Sequence, residues 1–111
     1  MNDSSILKDI KKQLGLAEDY TEFDKEIIIH INSVFVILRQ LGVGPSEGFK
    51  ITGDSETWEN FSENMLLIED AKTYIYQKVR MIFDPPSSSV LASSIEKDIA
   101  EFEWRLSIES S

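Results

Sequence analysis

Apolar positions recur at three- and four-residue spacings in four blocks of this chain, and glycine, proline and polar runs separate the blocks. In the first block Ile6, Leu7, Ile10 and Leu14 form one stripe, with Ser4 or Ser5 placed to cap it and Gly15 placed to end it. Lys8, Lys11 and Lys12 fall on the other side and read as a solvated face. Thr21 or Asp24 opens the second block, where Ile27, Ile31, Val34, Leu38 and Leu41 share a face with Phe35 at its margin. The third aligns Ile68, Ala71, Ile75, Val79 and Ile82, flanked by Tyr74 and Met81. The fourth aligns Leu91, Ile95, Ile99, Phe102 and Leu106. These periods predict helices near residues 4–14, 22–41, 65–83 and 88–108.

The third and fourth helices meet at Asp84-Pro85-Pro86. A proline pushes its predecessor out of the α region, and the second removes a further backbone donor. Ser87, Ser88 and Ser89 then offer hydroxyls to the next helix. So short and stiff a corner predicts close antiparallel packing.

Gly42-Val43-Gly44-Pro45 stops the second helix, and no helical period follows through Asn64. Phe49, Ile51 and Thr52 alternate as a short strand would, between turn candidates Gly48 and Gly53. Trp58 and Phe61, three apart, suffice for one helical turn. The expected fold is therefore all-α. It is a four-helix bundle-like domain over residues 1–111, with an irregular acidic loop between the second and third helices that holds a small β element at most.

Several residues fall off these stripes. Ile29 and Val36 lie seven apart on the far side of the second helix, among Asn32, Ser33 and Gln40. A helix apolar on two sides is buried on two sides, either by its own domain or by a neighbouring subunit. Lys72, Tyr76 and Arg80 form a line at i, i+4 and i+8 with no evident intramolecular duty. Trp104 and Ile108 sit off the last stripe near Lys97, where Trp104 either packs within the domain or meets a partner.

Composition narrows the function. At 111 residues and 41% apolar, the chain has enough for one core. Its net charge is −9, and residues 43–71 carry seven acids (Glu47, Asp54, Glu56, Glu59, Glu63, Glu69, Asp70) against Lys50 alone. Gripping a phosphate backbone needs clustered Lys and Arg, so this balance argues against it. No cysteine is present, which removes disulfides, thiolate nucleophiles and cysteine metal sites. No apolar run nears the roughly 20 residues of a membrane span, and Met1–Gln13 lacks a signal-peptide core, so a cytoplasmic chain without membrane contact is expected.

Catalytic chemistry does not assemble either. His30 is the only histidine and reads as structural at the edge of an apolar face. Glu56-x-x-Glu59 matches half of the paired carboxylate motif of all-α nucleotide pyrophosphohydrolases, but Glu69 and Asp70 are adjacent where the second half would be. The expectation is a non-enzyme with no catalytic residues, no cofactor and no metal.

Ile31–Pro45, Tyr74–Ser88 and Glu101–Leu106, in this order and spacing, resemble the head–tail connector (adaptor) proteins of long-tailed bacteriophages of Gram-positive hosts. The likeness runs from about Ile6 to Ile108. It implies a virion structural protein at the head–tail interface, present in the host cytoplasm during assembly. It also implies a homo-oligomeric ring of twelvefold symmetry beneath the portal protein. Such a ring extends the DNA channel without sequence-specific DNA binding, and it docks a downstream connector, stopper or tail-completion protein. Ile29, Val36, Lys72, Tyr76, Arg80, Trp104 and Ile108 then become candidates for the subunit or portal interface. Glu47, Asp54, Glu56, Glu59 and Glu63 become candidates for the channel or tail-side edge. The alternative from another class is an acidic DNA mimic that inhibits a nucleic-acid-binding host protein.

Overall fold

The computed structural model describes residues 5–109 and is all-α. Its helices are α1 (Ile6–Gln13), α2 (Asp24–Gln40), the single turn α3 (Trp58–Phe61), α4 (Met65–Phe83) and α5 (Ser89–Glu109). The four long helices lie where the apolar periods predict them, and Trp58 and Phe61 form the expected turn.

The caps explain the boundaries. Ser5 Oγ accepts the Lys8 N–H at 3.2 Å, and Gly15 (φ +86°) turns the chain away after α1. Ser4, the other candidate cap, lies outside the described residues. Asn64 Oδ1 accepts from Leu66 and Leu67 N–H, both at 3.1 Å, to start α4. At the double-proline corner Ser88 Oγ takes the Leu91 N–H at 3.2 Å. Ser88→Ala should therefore cost about 1 kcal/mol in a urea melt, with exposed Ser87→Ala as the neutral control.

α4 is the hub, packing on α5, α2 and α1. It runs antiparallel to α5, as rungs between the two helices establish. Asp70 accepts from Arg105 at 3.5 Å, Tyr74 Oη donates to Glu103 at 2.7 Å, and Gln77 Nε2 donates to Asp98 at 3.4 Å. Ile68, Ala71, Tyr74, Ile75 and Val79 of α4 join Ile27, Ile31, Val34 and Leu38 of α2, Ile6 and Ile10 of α1, and Leu106 of α5 in one core. Tyr74, expected at the flank, is fully buried. Burial first, then the Glu103 hydrogen bond and charge, push its phenol above the ordinary 10.0.

Four expectations need correcting. Ile82 does not continue the α4 core line but is exposed, because the inward place in the last turn goes to Phe83, whose ring meets Phe23 edge-on at 5.3 Å. Leu91 is also exposed, since the first turn of α5 overhangs the core at the corner end of the hairpin. No strand forms at Phe49–Thr52. Instead the Asn32 side-chain amide acts as the missing partner, with Oδ1 accepting the Ile51 N–H at 2.8 Å and Nδ2 donating to the Ile51 carbonyl at 2.9 Å. Among the described residues the one β-type pairing is an isolated bridge between Ser5 and Thr57. Lys11, finally, is not on a solvated face: it is 2% exposed, held by Asp24 and the Glu18 carbonyl.

Candidate interaction surfaces

The loop between α2 and α4 is irregular but firmly seated. Phe49 and Phe61 pack edge-on to each other and against Phe35 of α2, with ring centroids 5.1–5.5 Å apart. Arg39 Nε donates to the Ser46 carbonyl at 2.9 Å, and Val43 and Ile51 are buried. Gly44 has φ +90°, and a Cβ there would sit 2.5 Å from the Phe61 ring, so this turn needs glycine twice over. Trp58 closes the far end. Its indole N–H donates to Asp9 Oδ2 at 2.8 Å, and the Lys72 ammonium lies 5.6 Å from its ring centroid and 3.9 Å from Asp9.

That node gives Lys72 a duty the sequence did not reveal. It also pairs with Glu69 at 3.7 Å, so it ties α1, α3 and α4 together instead of projecting freely. Tyr76 is half-buried against the core. With Arg80 it lines a shallow depression beside Gln13, Leu14 and Gly15, at the end of α1. The expected Lys72-Tyr76-Arg80 line thus splits, with only its lower part at a surface depression.

Ile29 and Val36 are 65% and 57% exposed, so the chain's own domain does not cover the second side of α2. Trp104 and Ile108 are 67% and 51% exposed, so Trp104 does not pack within the domain. The antiparallel register brings the start of α4 beside the end of α5, which adds exposed Met65 and Leu66 to the same end of the hairpin. Ile82, Val90 and Leu91 are exposed at the opposite, corner end. Sequence reasoning missed Met65, Leu66 and Val90. The run Met65-Leu66-Leu67-Ile68 held a usable signal, because four consecutive apolar residues cannot all face one core. Exposed apolar area on separate faces is what interaction surfaces look like.

The acidic residues divide. Glu47, Asp54, Glu59 and Glu63 are exposed, Asp54 reaching Lys8 at 4.0 Å. Glu56 is partly buried, and its Oε2 accepts the Thr52 N–H and hydroxyl, both at 2.9 Å, to close the turn. Among the described residues no three acidic or histidine side chains converge on a common point. His30 lies 3.6 Å from Glu26 on the same helix.

Burial is the largest single influence on Glu56 and raises its pKa, but the hydrogen bonds from Thr52 and the neighbouring backbone together outweigh it. Its carboxyl is held below the ordinary 4.5. A carboxyl lowered on folding stabilises above its unfolded pKa, and that contribution disappears as pH falls through the folded value. Wild type should therefore exceed Glu56→Gln in urea-melt stability at neutral pH, and the gap should close below pH 4.5. A constant gap would show that charge plays no part in the turn.

No helix is long and apolar enough to cross a membrane among the described residues. Neither the curated proteins nor the solved structures contain a match to this chain. A family model does match, that of the phage connector protein, over residues 6–111, nearly the whole sequence. With that match over an all-α domain, the chain belongs to the phage connector protein family, structural proteins of the bacteriophage head–tail connection.

Proposed function

We propose that this connector assembles as a twelve-subunit ring beneath the portal of a long-tailed phage of a Gram-positive host. There it extends the DNA channel and presents the surface on which a stopper or tail-completion protein docks. The observation that carries this reading is the separation of exposed apolar residues onto different faces. Ile29 and Val36 lie along α2, Trp104 with Met65 and Leu66 at one end of the hairpin, and Ile82 with Val90 at the other. Neighbours in a ring meet head-to-tail through two unlike patches, and axial partners above and below need two more. The net charge of −9 suits a channel that DNA traverses without being gripped. A DNA mimic would instead array carboxylates along one face, whereas Asp70, Asp98 and Glu103 are spent on rungs between α4 and α5.

The test is imaging of heads assembled with and without this chain. A ring of added density under the portal, twelvefold in symmetry, is expected. A chain that leaves portal-bearing heads unaltered, or binds a single copy elsewhere, would overturn the proposal. A point variant sharpens it. Of the two tryptophans, Trp58 is buried and Trp104 exposed, so Trp104→Ala should leave the melting temperature near native. It should nonetheless weaken association by about 2 kcal/mol, as removal of an aromatic anchor does. An early melt would return Trp104 to a folding role.

A further inference from the structure

α5 is the longest helix of the chain, and it carries few core residues for its length. It packs extensively against α4 alone, whereas α4 also takes α2 and α1. Leu106 is its one residue in the main core. Ile95 is buried apart from that core, and Ile99 and Phe102 are half-buried against it. The shorter α2 sinks Ile27, Ile31, Val34, Phe35 and Leu38 into the same core. Few buried apolar side chains over many residues mark a segment that opens before the rest of a fold.

The seam between α4 and α5 is uneven. At the far end Leu106 is fully buried, Tyr74 Oη donates to Glu103 at 2.7 Å and Arg105 reaches Asp70 at 3.5 Å. Towards the corner the seam loosens. The Gln77–Asp98 rung stretches to 3.4 Å, and Gln77 Oε1 is shut off from solvent without a donor. A cleft of about 210 Å³ lies between Lys78, Met81 and Ile82 on one side and Glu96 and Ile99 on the other. Val90 and Leu91, in the first turn of α5, are exposed. The corner spans only residues 84–88, and its two prolines donate no backbone hydrogen bond. A short element-terminal segment of this kind is where hinges form.

We propose that α5 is a hinged strap that swings from α4 about residues 84–88 while α1, α2 and α4 stay folded. Its latch is the far end, where the Tyr74–Glu103 bond and Leu106 hold it closed. The latch bond is short and charge-assisted, which makes it the strongest of the rungs and sets how often the strap lifts. Opening uncovers the Tyr74 face of α4, which is fully buried in the closed chain. Any partner of that face binds the open form alone, and it shifts the population only by its preference for that form.

Hydrogen exchange reads the opening, because a lone helix frays in water once its apolar partner is gone. Corrected for intrinsic rates, α5 amides between Ile95 and Leu106 should exchange at least about tenfold faster than α2 amides between Ile31 and Leu38. Their rates should also depend less on urea, since a lifted strap exposes less surface than global unfolding. Ile31→Val should raise the α2 rates severalfold and leave the α5 rates unchanged, because the open form keeps the α2 core. Tyr74→Phe keeps the ring and removes the latch bond, so it should raise the α5 rates about tenfold. The chain lacks cysteine, so Gln77→Cys/Asp98→Cys joined by a short bis-maleimide ties the strap down, with the unlinked double variant as reference. Linking should slow α5 to the α2 rates. One common rate for both helices, or α5 rates that rise with Ile31→Val, would overturn the proposal. So would α5 rates indifferent to Tyr74→Phe, or α5 rates that survive linking, which would show a seated helix that merely frays. No portal is needed, so the outcome is independent of the ring reading.

Discussion

Trp58→Ala should remove about 3–5 kcal/mol of stability, the cost of emptying a buried aromatic site. Trp58 is 1% exposed, and it is where the loop between α2 and α4 meets α1. Its ring packs in the core, its N–H donates to Asp9 of α1, and Lys72 of α4 lies near its ring. Deleting the side chain therefore opens a cavity and leaves Asp9 and Lys72 to hold α1 to α4 without the group between them. Trp58→Phe separates the two effects. It keeps most of the volume and loses the hydrogen bond to a partly exposed carboxylate, for about 1–2 kcal/mol. Urea melts of the three chains should order them wild type, Phe, Ala. In thermal melts the Ala variant should fall by roughly 12 °C or more. Were Trp58→Ala within about 1 kcal/mol of wild type, the loop would be an appendage and not part of the core.

The same loop carries the exposed acids Glu47, Asp54, Glu59 and Glu63. Its seat was only partly legible. Trp58 and Phe61 at a spacing of three announced a turn, and four helices followed from apolar periods, because both signals are local. The Asn32–Ile51 pairing was not legible, because a side-chain amide that stands in for a strand leaves no period in either segment. The expected strand at Phe49–Thr52 failed for that reason: alternation marks extended backbone without saying what will satisfy it.

The off-stripe residues tell the same story from the other side. Ile29, Val36, Trp104 and Ile108 could be picked out because a helical wheel separates faces, and all are exposed. Lys72 could not be judged from its wheel position. Its partners Asp9 and Trp58 come from α1 and α3, and no spacing within α4 reports them. Ile82 and Leu91 satisfied their stripes and are still exposed, because a stripe is buried only as far as a neighbouring helix extends.

Lys11 is the largest departure, and it yields the second prediction. Its stripe position put it in solvent, but the connector after α1 folds back over it. The ammonium lies 2.9 Å from Asp24 Oδ1 and donates to the Glu18 carbonyl at 2.9 Å. Asp24 Oδ1 is itself shut off from solvent, with no other partner than this ion pair. Lys11→Ala should therefore cost roughly 2–4 kcal/mol, because it strands a carboxylate oxygen and a carbonyl and also removes a packed aliphatic stem. Lys11→Met keeps most of the stem and isolates the loss of charge, so it should fall between Ala and wild type. The double variant Lys11→Met/Asp24→Leu should recover part of the Met loss, because replacing the ion pair on both sides leaves only the Glu18 carbonyl without its donor. The cycle's coupling energy is read from urea melts, with Lys8 and Asp54 as an exposed reference pair. Raising salt should weaken that reference and leave the Lys11 coupling nearly unchanged, since buried charges are poorly screened. A Lys11→Met loss below about 0.5 kcal/mol, or a coupling that fades with salt, would put Lys11 back in the solvent where its stripe position had it.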